Sequence, residues 1–267
     1  MSFPGPIEIA AHFRPRPKLR HAIFDWDGTV SLIRGGWIEV MVDVGIDSFP
    51  SLDRALLHAE MLALNGRPCI HQMVRISELI LAAGGTPHAP EEYQRIYAER
   101  LASAAADRLR TLRGGGSPDA HTVPGAAGFL DALRARGITL SLVSGTPHPE
   151  LIEEAALLNV APHFGFRVHG PRDLADRDFT KRAAIHALVA EHQLASDELL
   201  LIGDGPVEMS EAKALGALAI GVASDEASPG SRRFDEHKRR QLLECGAEIV
   251  VPDYLDAAPL LALVLDR

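Results

Sequence analysis

The chain has 267 residues, of which 46% are hydrophobic and 24% charged, a composition typical of globular proteins. The 36 acidic residues outnumber the 27 basic ones and give a formal charge of −9, which argues against a general nucleic-acid-binding protein. Its length predicts one large or two modest domains, and two cysteines, Cys69 and Cys245, are too few for a disulfide framework or a Cys-rich zinc site.

The N-terminal segment 1–20 carries prolines and charged residues where a signal peptide would have its apolar core. No apolar run further along approaches the roughly 18 residues that a membrane span needs. We therefore expect a cytoplasmic protein with no membrane partner.

Five short apolar runs predict buried strands, at 19–25, 138–144, 198–203, 217–222 and 248–251. Helical patterns lie between them, for example at 125–137 and 180–193. Strands that alternate with helices are typical of an α/β fold, a mostly parallel sheet covered on both faces.

The stretch from 37 to 112 interrupts this alternation, because it contains no strand-like run and instead has the pattern of four helices. Ser51 is predicted to cap the second of these helices. Glycines at 35–36 and 114–116 bracket the stretch as hinges would. We predict an all-helical domain, 35–113, inserted into a core domain formed by 1–34 and 114–267.

Two carboxylates follow the first predicted strand, in the sequence Asp25-Trp26-Asp27-Gly28-Thr29. Parallel α/β sheets bind ligands at the carboxyl ends of their strands. One carboxylate there can attack as a nucleophile while the other donates or accepts a proton. By itself the segment is also compatible with an ordinary Asp-Gly turn.

A hydroxyl group follows the second predicted strand, where Ser144 precedes Gly145. Thr146 and Pro147 have the pattern of a helix N-cap and first helical position. A hydroxyl, backbone N–H groups and a helix N-terminus together can bind an anion, although an ordinary strand-to-helix turn has the same pattern.

An amine and two more carboxylates complete the set of candidates. Lys181 lies at the start of a predicted helix, Asp204 follows the strand 198–203, and Glu208 comes four residues later. Carboxylate oxygens at a strand end suit a hard cation such as Mg²⁺. Taken singly, Lys181 could be a surface residue and Asp204 part of a turn.

Together, these elements resemble the haloacid dehalogenase superfamily of phosphotransferases. The family's motifs are DxDG[TS], a strand-terminal Ser or Thr, a Lys and GDxxx[DE], and here they read DWDGT, VSG, Lys181 and GDGPVE. The inserted helical domain resembles the cap of the phosphoglycolate phosphatase and β-phosphoglucomutase branch. The resemblance therefore implies a Rossmann-like, HAD-like α/β core with a helical cap.

The resemblance implies phosphoryl transfer with Mg²⁺ as cofactor. Asp25 would be the nucleophile that forms an aspartyl-phosphate, and Asp27 would be the acid and base. Asp25, the backbone carbonyl of Asp27 and the side chain of Asp204 would bind Mg²⁺, with Glu208 acting through water. The final Glu departs from the family's more usual Asp, and Asp27 argues against dehalogenase chemistry.

The resemblance also implies a phosphate-binding set. Ser144, Lys181 and the backbone amides around Trp26 and Gly145 would hold the phosphoryl oxygens. The charged stretch 228–248 is interpreted as a solvated loop and helix.

Three functions remain open at this point. The first is a Mg²⁺-dependent phosphatase acting on a small phosphorylated metabolite, such as a sugar phosphate or phosphoglycolate. A phosphomutase would use the same catalytic residues, and a binding or regulatory module could keep the fold without turnover. Candidates for substrate recognition are Arg34, Arg67 and His71, near the edges of the helical domain.

Overall fold

The computed structural model of the protein describes residues 6–64, 69–173, 176 and 178–265. The chain divides into two compact units. One unit comprises the described residues of Met1–Ile33 and Thr111–Arg267, and the other comprises those of Arg34–Arg110.

Within the described residues, seven strands form one sheet in the spatial order β1-β7-β6-β5-β2-β3-β4. The strands are β1 (Glu8–Ile9), β2 (His21–Phe24), β3 (Thr139–Val143), β4 (Val168–His169), β5 (Leu199–Gly203), β6 (Leu218–Val222) and β7 (Ile249–Val251). β1 is antiparallel to β7, and the other neighbouring strands are parallel. The predicted α/β class with a mostly parallel sheet is confirmed. β1 and β4 were not predicted, because two residues are too few to show a pattern.

Helices surround the sheet and also build the second unit. They are α1 (Trp37–Ser48), α2 (Arg54–Ala63), α3 (Cys69–Ala82), α4 (Pro90–Arg113), α5 (Ala126–Arg134), α6 (His148–Leu157), α7 (Ala161–Phe164), α8 (Lys181–Glu191), α9 (Pro206–Leu215), α10 (Glu236–Cys245) and α11 (Ala257–Leu265). None of these helices has the length and apolar composition needed to cross a membrane, as far as the described residues extend.

The central strand β2 aligns the ends of its two neighbours. Phe24, its last residue, is in register with Leu142 of β3 and Ile202 of β5. The backbone N–H of Asp25 continues the ladder by donating to the Ile202 carbonyl at 2.9 Å. Residues that directly follow β2, β3 and β5 therefore meet at one edge of the sheet, where such folds place ligands.

Both faces of the sheet are covered by apolar packing. Ile23 and Leu201 share one buried cluster with Met209 of α9. Phe24 faces the other side, where its ring centroid lies 6.2 Å from that of Phe129 in α5. Each large apolar side chain buried in this way contributes about 1.5–3 kcal/mol to the free energy of folding. The strands that carry the site residues are therefore held in place by the packed core.

The second unit has its own apolar core, formed by the four helices α1 to α4. Met41, Leu57, Met73 and Tyr93 are fully buried in one cluster there. Its described residues contain helices and no strand, as the sequence pattern predicts.

The cap of α2 differs from the prediction. Asp53, and not Ser51, accepts hydrogen bonds from the backbone N–H groups of Ala55 at 2.9 Å and Leu56 at 3.1 Å. The helix begins at Arg54, so only the residue directly before it can reach those first N–H groups.

Candidate active site

Asp25 lies directly after β2, with only 4% of its surface exposed. The loop that follows folds back tightly, because the backbone N–H groups of residues 29–31 donate to the Trp26 carbonyl at 2.9–3.2 Å. Gly28 has φ +70° in this loop, a conformation that glycine adopts without steric cost. The first motif is therefore a compact turn that holds Asp25 at the edge of the sheet.

Lys181, the first residue of α8, contacts two of the predicted carboxylates. Its Nζ donates to Asp25 Oδ1 at 2.7 Å and to Glu208 Oε1 at 3.0 Å. Burial alone would lower the pKa of Lys181, but the Asp25 and Glu208 carboxylates raise it above its usual value. The amine therefore stays protonated, and three of the predicted site residues form one ion-paired group.

The carboxylates of this group are short of positive charge. Burial raises the pKa of Asp25, and the Asp204 charge adds to the rise, although Lys181 opposes both. Burial and the Asp25 charge likewise raise the pKa of Glu208. When both carboxylates are ionised, the single Lys181 amine balances only one of their two negative charges.

Ser144 lies buried directly after β3. Its Oγ accepts a hydrogen bond from the Thr146 backbone N–H at 3.0 Å, which leaves the hydroxyl hydrogen able to point to a ligand. Gly145 is exposed beside it, and a side chain there would meet no atom within 4 Å. The second motif thus offers a hydroxyl donor and an open backbone at the same sheet edge.

Thr146 does not cap α6, contrary to the prediction. The helix begins at His148 without any side-chain cap. The Thr146 hydroxyl instead donates to Asp27 Oδ2 at 2.8 Å. The N-cap position of α6 is taken by Pro147, and the Thr146 hydroxyl makes a charge-assisted hydrogen bond to the first motif.

Trp26 contributes two different groups to the first motif. Its backbone N–H hydrogen-bonds the Asp25 carboxylate and so lowers the pKa of Asp25. Its indole is fully buried and points into the protein, where Nε1 donates to Glu154 Oε2 at 2.8 Å. The side chain therefore anchors the loop, while the predicted phosphate-binding role concerns only the backbone amide.

Asp204 follows β5 but is bound to a lysine that sequence analysis missed. Lys238 of α10 donates to Asp204 Oδ2 at 2.8 Å and to Glu226 Oε1 at 2.5 Å. The stretch 228–248 is thus not wholly solvated, since Lys238 is 4% exposed. Leu242, one helical turn later, is also buried, and this i,i+4 spacing was the available signal for a buried face.

The Asp204 carboxylate also packs against the first motif. A Cβ atom at Gly28 would overlap Asp204 Oδ2 and would lie 3.2 Å from Glu226 Oε1. Gly28 is therefore required both by its backbone conformation and by the space that Asp204 occupies.

The carboxylates of Asp25, Asp204 and Glu208 are suitable ligands for a hard cation, although they do not form a complete coordination site. Among the residues that the structure describes, no three acidic, His or Cys side chains cluster as metal ligands. Glu208 Oε2, however, is buried and accepts no hydrogen bond. Glu208 shares Lys181 with the Asp25 carboxylate, and a buried oxygen in this position suits Mg²⁺, which prefers oxygen ligands.

The candidates for substrate recognition belong to the second unit. Arg34 is its first residue, and His71 is exposed on α3. Arg67 lies outside the described residues. Their role stays a prediction.

Comparison with known proteins supports the fold. A HAD family hydrolase from Deinococcus radiodurans R1, determined with bound phosphate and sodium, has a TM-score of 0.63 at 16% identity, covering 92% of this chain and 96% of that one. A haloacid dehalogenase-like protein of unknown function from Agrobacterium tumefaciens has a TM-score of 0.64 at 15% identity, covering 91% and 98%.

A predicted phosphoglycolate phosphatase from Haemophilus somnus 129PT has a TM-score of 0.59 at 15% identity, covering 91% of this chain and 98% of that one. No curated protein matches the chain. The family model for haloacid dehalogenase-like hydrolases matches residues 22–207, which include the first motif and Ser144, Lys181 and Asp204. The resemblance seen in the motifs is confirmed, and the chain belongs to the haloacid dehalogenase-like hydrolase family.

Proposed function

We propose that the protein is a Mg²⁺-dependent phosphatase that hydrolyses a small phosphorylated metabolite through an aspartyl-phosphate on Asp25. The observation that carries this proposal is the pair Asp25 and Asp27 at the end of β2. Asp25 is buried and paired with Lys181 at 2.7 Å, and Asp27 is held by Thr146 at 2.8 Å. This arrangement supports Asp25 as the nucleophile and Asp27 as the group that moves a proton.

In the first half of the reaction, an Asp25 carboxylate oxygen attacks the phosphorus of the substrate. The bond between phosphorus and the ester oxygen breaks, and Asp27 gives its proton to the departing oxygen. The products of this step are the dephosphorylated metabolite and an aspartyl-phosphate.

In the second half, Asp27 takes a proton from a water molecule whose oxygen attacks the same phosphorus. The bond between phosphorus and the Asp25 oxygen breaks, which releases inorganic phosphate and restores the Asp25 carboxylate. Asp27 ends the cycle protonated, as it began.

Charge on the phosphoryl oxygens is the main obstacle in such transfers. Lys181 and the Ser144 hydroxyl are donors at the sheet edge, and we assign them to these oxygens with the amides of Trp26 and Gly145. Asp25, the Asp27 carbonyl and Asp204, with Glu208 through water, would hold Mg²⁺, which would supply further positive charge there. The helical unit is assigned to substrate selection and the exclusion of water.

The test is phosphate release from phosphoglycolate, sugar phosphates and nucleotides, with Mg²⁺ and with a chelator. We expect metal-dependent release by the wild type and none by Asp25→Asn with an unchanged circular dichroism spectrum. Asp197→Asn is the matched control, because this exposed carboxylate lies just before β5 at the opposite end from Asp204. It should retain full activity.

Acid quenching during turnover should also trap phosphate on the wild type and not on Asp25→Asn. Turnover by Asp25→Asn above a few per cent would remove Asp25 as nucleophile. Conversion of a sugar phosphate to its isomer without release of phosphate would identify a mutase, which shares the first half-reaction.

A further inference from the structure

A buried lysine links two carboxylates beside the proposed metal site. Lys238 lies on α10, and its Nζ donates to Asp204 Oδ2 at 2.8 Å and to Glu226 Oε1 at 2.5 Å. The side chains of Lys238, Asp204 and Glu226 are 5%, 20% and 12% exposed. The three charges are therefore largely shielded from water.

Stability alone is a poor explanation for this group. Taking an ammonium and two carboxylates out of water costs several kcal/mol per ion, and apolar residues of similar volume often give equal or higher stability. Lys238 Nζ nevertheless has a carboxylate oxygen of Asp204 and one of Glu226 within hydrogen-bond distance, so the group is a specific paired arrangement of three side chains.

The group is also fixed to the loop that carries the first motif. The space beside Gly28 is filled by Asp204 Oδ2, with Glu226 Oε1 next to it. Ser224, two residues before Glu226, donates from Oγ to the Gly28 carbonyl at 3.2 Å. The segment after β6 and the helix α10 therefore fix where the Asp204 carboxylate lies relative to Asp25 and Asp27.

We propose that Lys238 is a positioning residue that, oriented by Glu226, holds the Asp204 carboxylate in place for binding a divalent cation. This inference rests on the proposed function, in which Asp204 is a metal ligand. Lys238 occupies one oxygen of Asp204, so the other can be directed to the cation. Residues that orient a ligand in this way typically change metal affinity about 10–100-fold when removed.

The test measures Mg²⁺ binding by isothermal titration calorimetry, which does not depend on turnover. Lys238→Met removes the charge but keeps an unbranched side chain, and we expect Mg²⁺ affinity to fall by about tenfold or more. Lys238→Arg keeps a cationic donor for both carboxylates and should restore most of that loss. A merely packed side chain would show the opposite order, with Met tolerated better than the longer Arg.

Arg239→Met is the matched control. Arg239 is the next residue on α10 and pairs with Glu8 and Glu236, away from Asp204. The Arg239→Met variant should bind Mg²⁺ with wild-type affinity. If Lys238→Met does not fold, Glu226→Gln replaces it. This variant leaves Lys238 next to Asp204 but removes the charge that orients it, and its Mg²⁺ affinity should fall about tenfold, the lower end of the range for such residues.

Wild-type affinity in folded Lys238→Met, or in Glu226→Gln if that variant has to be used, would overturn this inference and leave the proposed phosphatase intact. An absence of Mg²⁺ binding by the wild type would overturn both. Loss of affinity in Arg239→Met equal to that in Lys238→Met would also overturn the inference, because the effect would then belong to the helix as a whole.

Discussion

The hydroxyl of Thr146 donates a hydrogen bond to Oδ2 of Asp27 at 2.8 Å and so connects the loops that follow β3 and β2. Thr146 is 6% exposed, so water competes little for this bond. Asp27 must reach the leaving oxygen and later a water molecule within hydrogen-bond distance. A bond that fixes one carboxylate oxygen restricts where the other can point.

Replacing Thr146 by Val removes this donor at nearly constant volume. We expect kcat to fall by about 10–100-fold, which is part of the 10²–10⁴ that a general acid–base group contributes. Inhibition by inorganic phosphate should change little, because Ser144 and Lys181 remain. Thr146→Ser keeps the hydroxyl and should stay within a few-fold of wild type. Equal kcat for the Val and Ser variants would show that the bond does not serve catalysis.

Gly28→Ala should damage the site by displacing Asp204. The new Cβ would overlap the Asp204 carboxylate, and the φ of +70° would be strained for Ala. We expect Mg²⁺ affinity and kcat both to fall at least about tenfold, because an oriented metal ligand is lost. Calorimetry with Mg²⁺ and phosphate release measure the two effects.

Gly145→Ala is the matched control for that variant. Gly145 also follows a strand of the same sheet, but a Cβ there would meet no atom within 4 Å. It should bind Mg²⁺ as the wild type does. If both Ala variants lost metal affinity equally, a general effect of replacing a glycine in these loops, and not contact with Asp204, would be the cause.

The sequence predicted those parts of the fold that have local signals. Apolar runs located five of the strands, and Asp25, Ser144 and Asp204 directly follow three of them. Once strands are parallel and in register, such residues must share an edge. This part of the site follows from topology alone.

Contacts between distant segments had no such signal. Thr146 had the pattern of a helix cap. Only in the folded structure is Asp27 close enough to accept a hydrogen bond from the Thr146 hydroxyl. Lys238 lay in a charged stretch, and its partner Asp204 is 34 residues away. Side-chain pairing of this kind depends on three-dimensional proximity, which one sequence does not reveal.

Trp26→Phe should destabilise the protein through Glu154. The indole Nε1 donates to Glu154 Oε2 at 2.8 Å, and Glu154 is only 1% exposed. Removing a donor from a buried carboxylate costs about 1–3 kcal/mol, in addition to the lost volume. Urea unfolding measures the change. Trp37→Phe, a partly buried residue at the start of α1, should cost less. A larger loss from Trp37→Phe would contradict this account.

The pH dependence of stability should report on His21, the first residue of β2. Its side chain is buried, Nε2 is 2.9 Å from Ser141 Oγ, and burial with the nearby His192 lowers the pKa of His21 to about 4. In the unfolded chain the pKa returns to its usual 6.5. Between these values the unfolded state binds a proton that the folded state does not.

The folded state should therefore lose stability as the pH falls from 6.5 towards 4, and His21 contributes nothing above this range. One proton gives a slope of at most about 1.4 kcal/mol per pH unit. Urea unfolding at several pH values should show a shallower slope for His21→Gln, which cannot titrate, than for the wild type. His71→Gln, at an exposed position on α3, should keep the wild-type slope. Parallel curves for wild type and His21→Gln would mean that His21 takes up its proton equally in both states, and burial beside Ser141 would then not be what governs its charge.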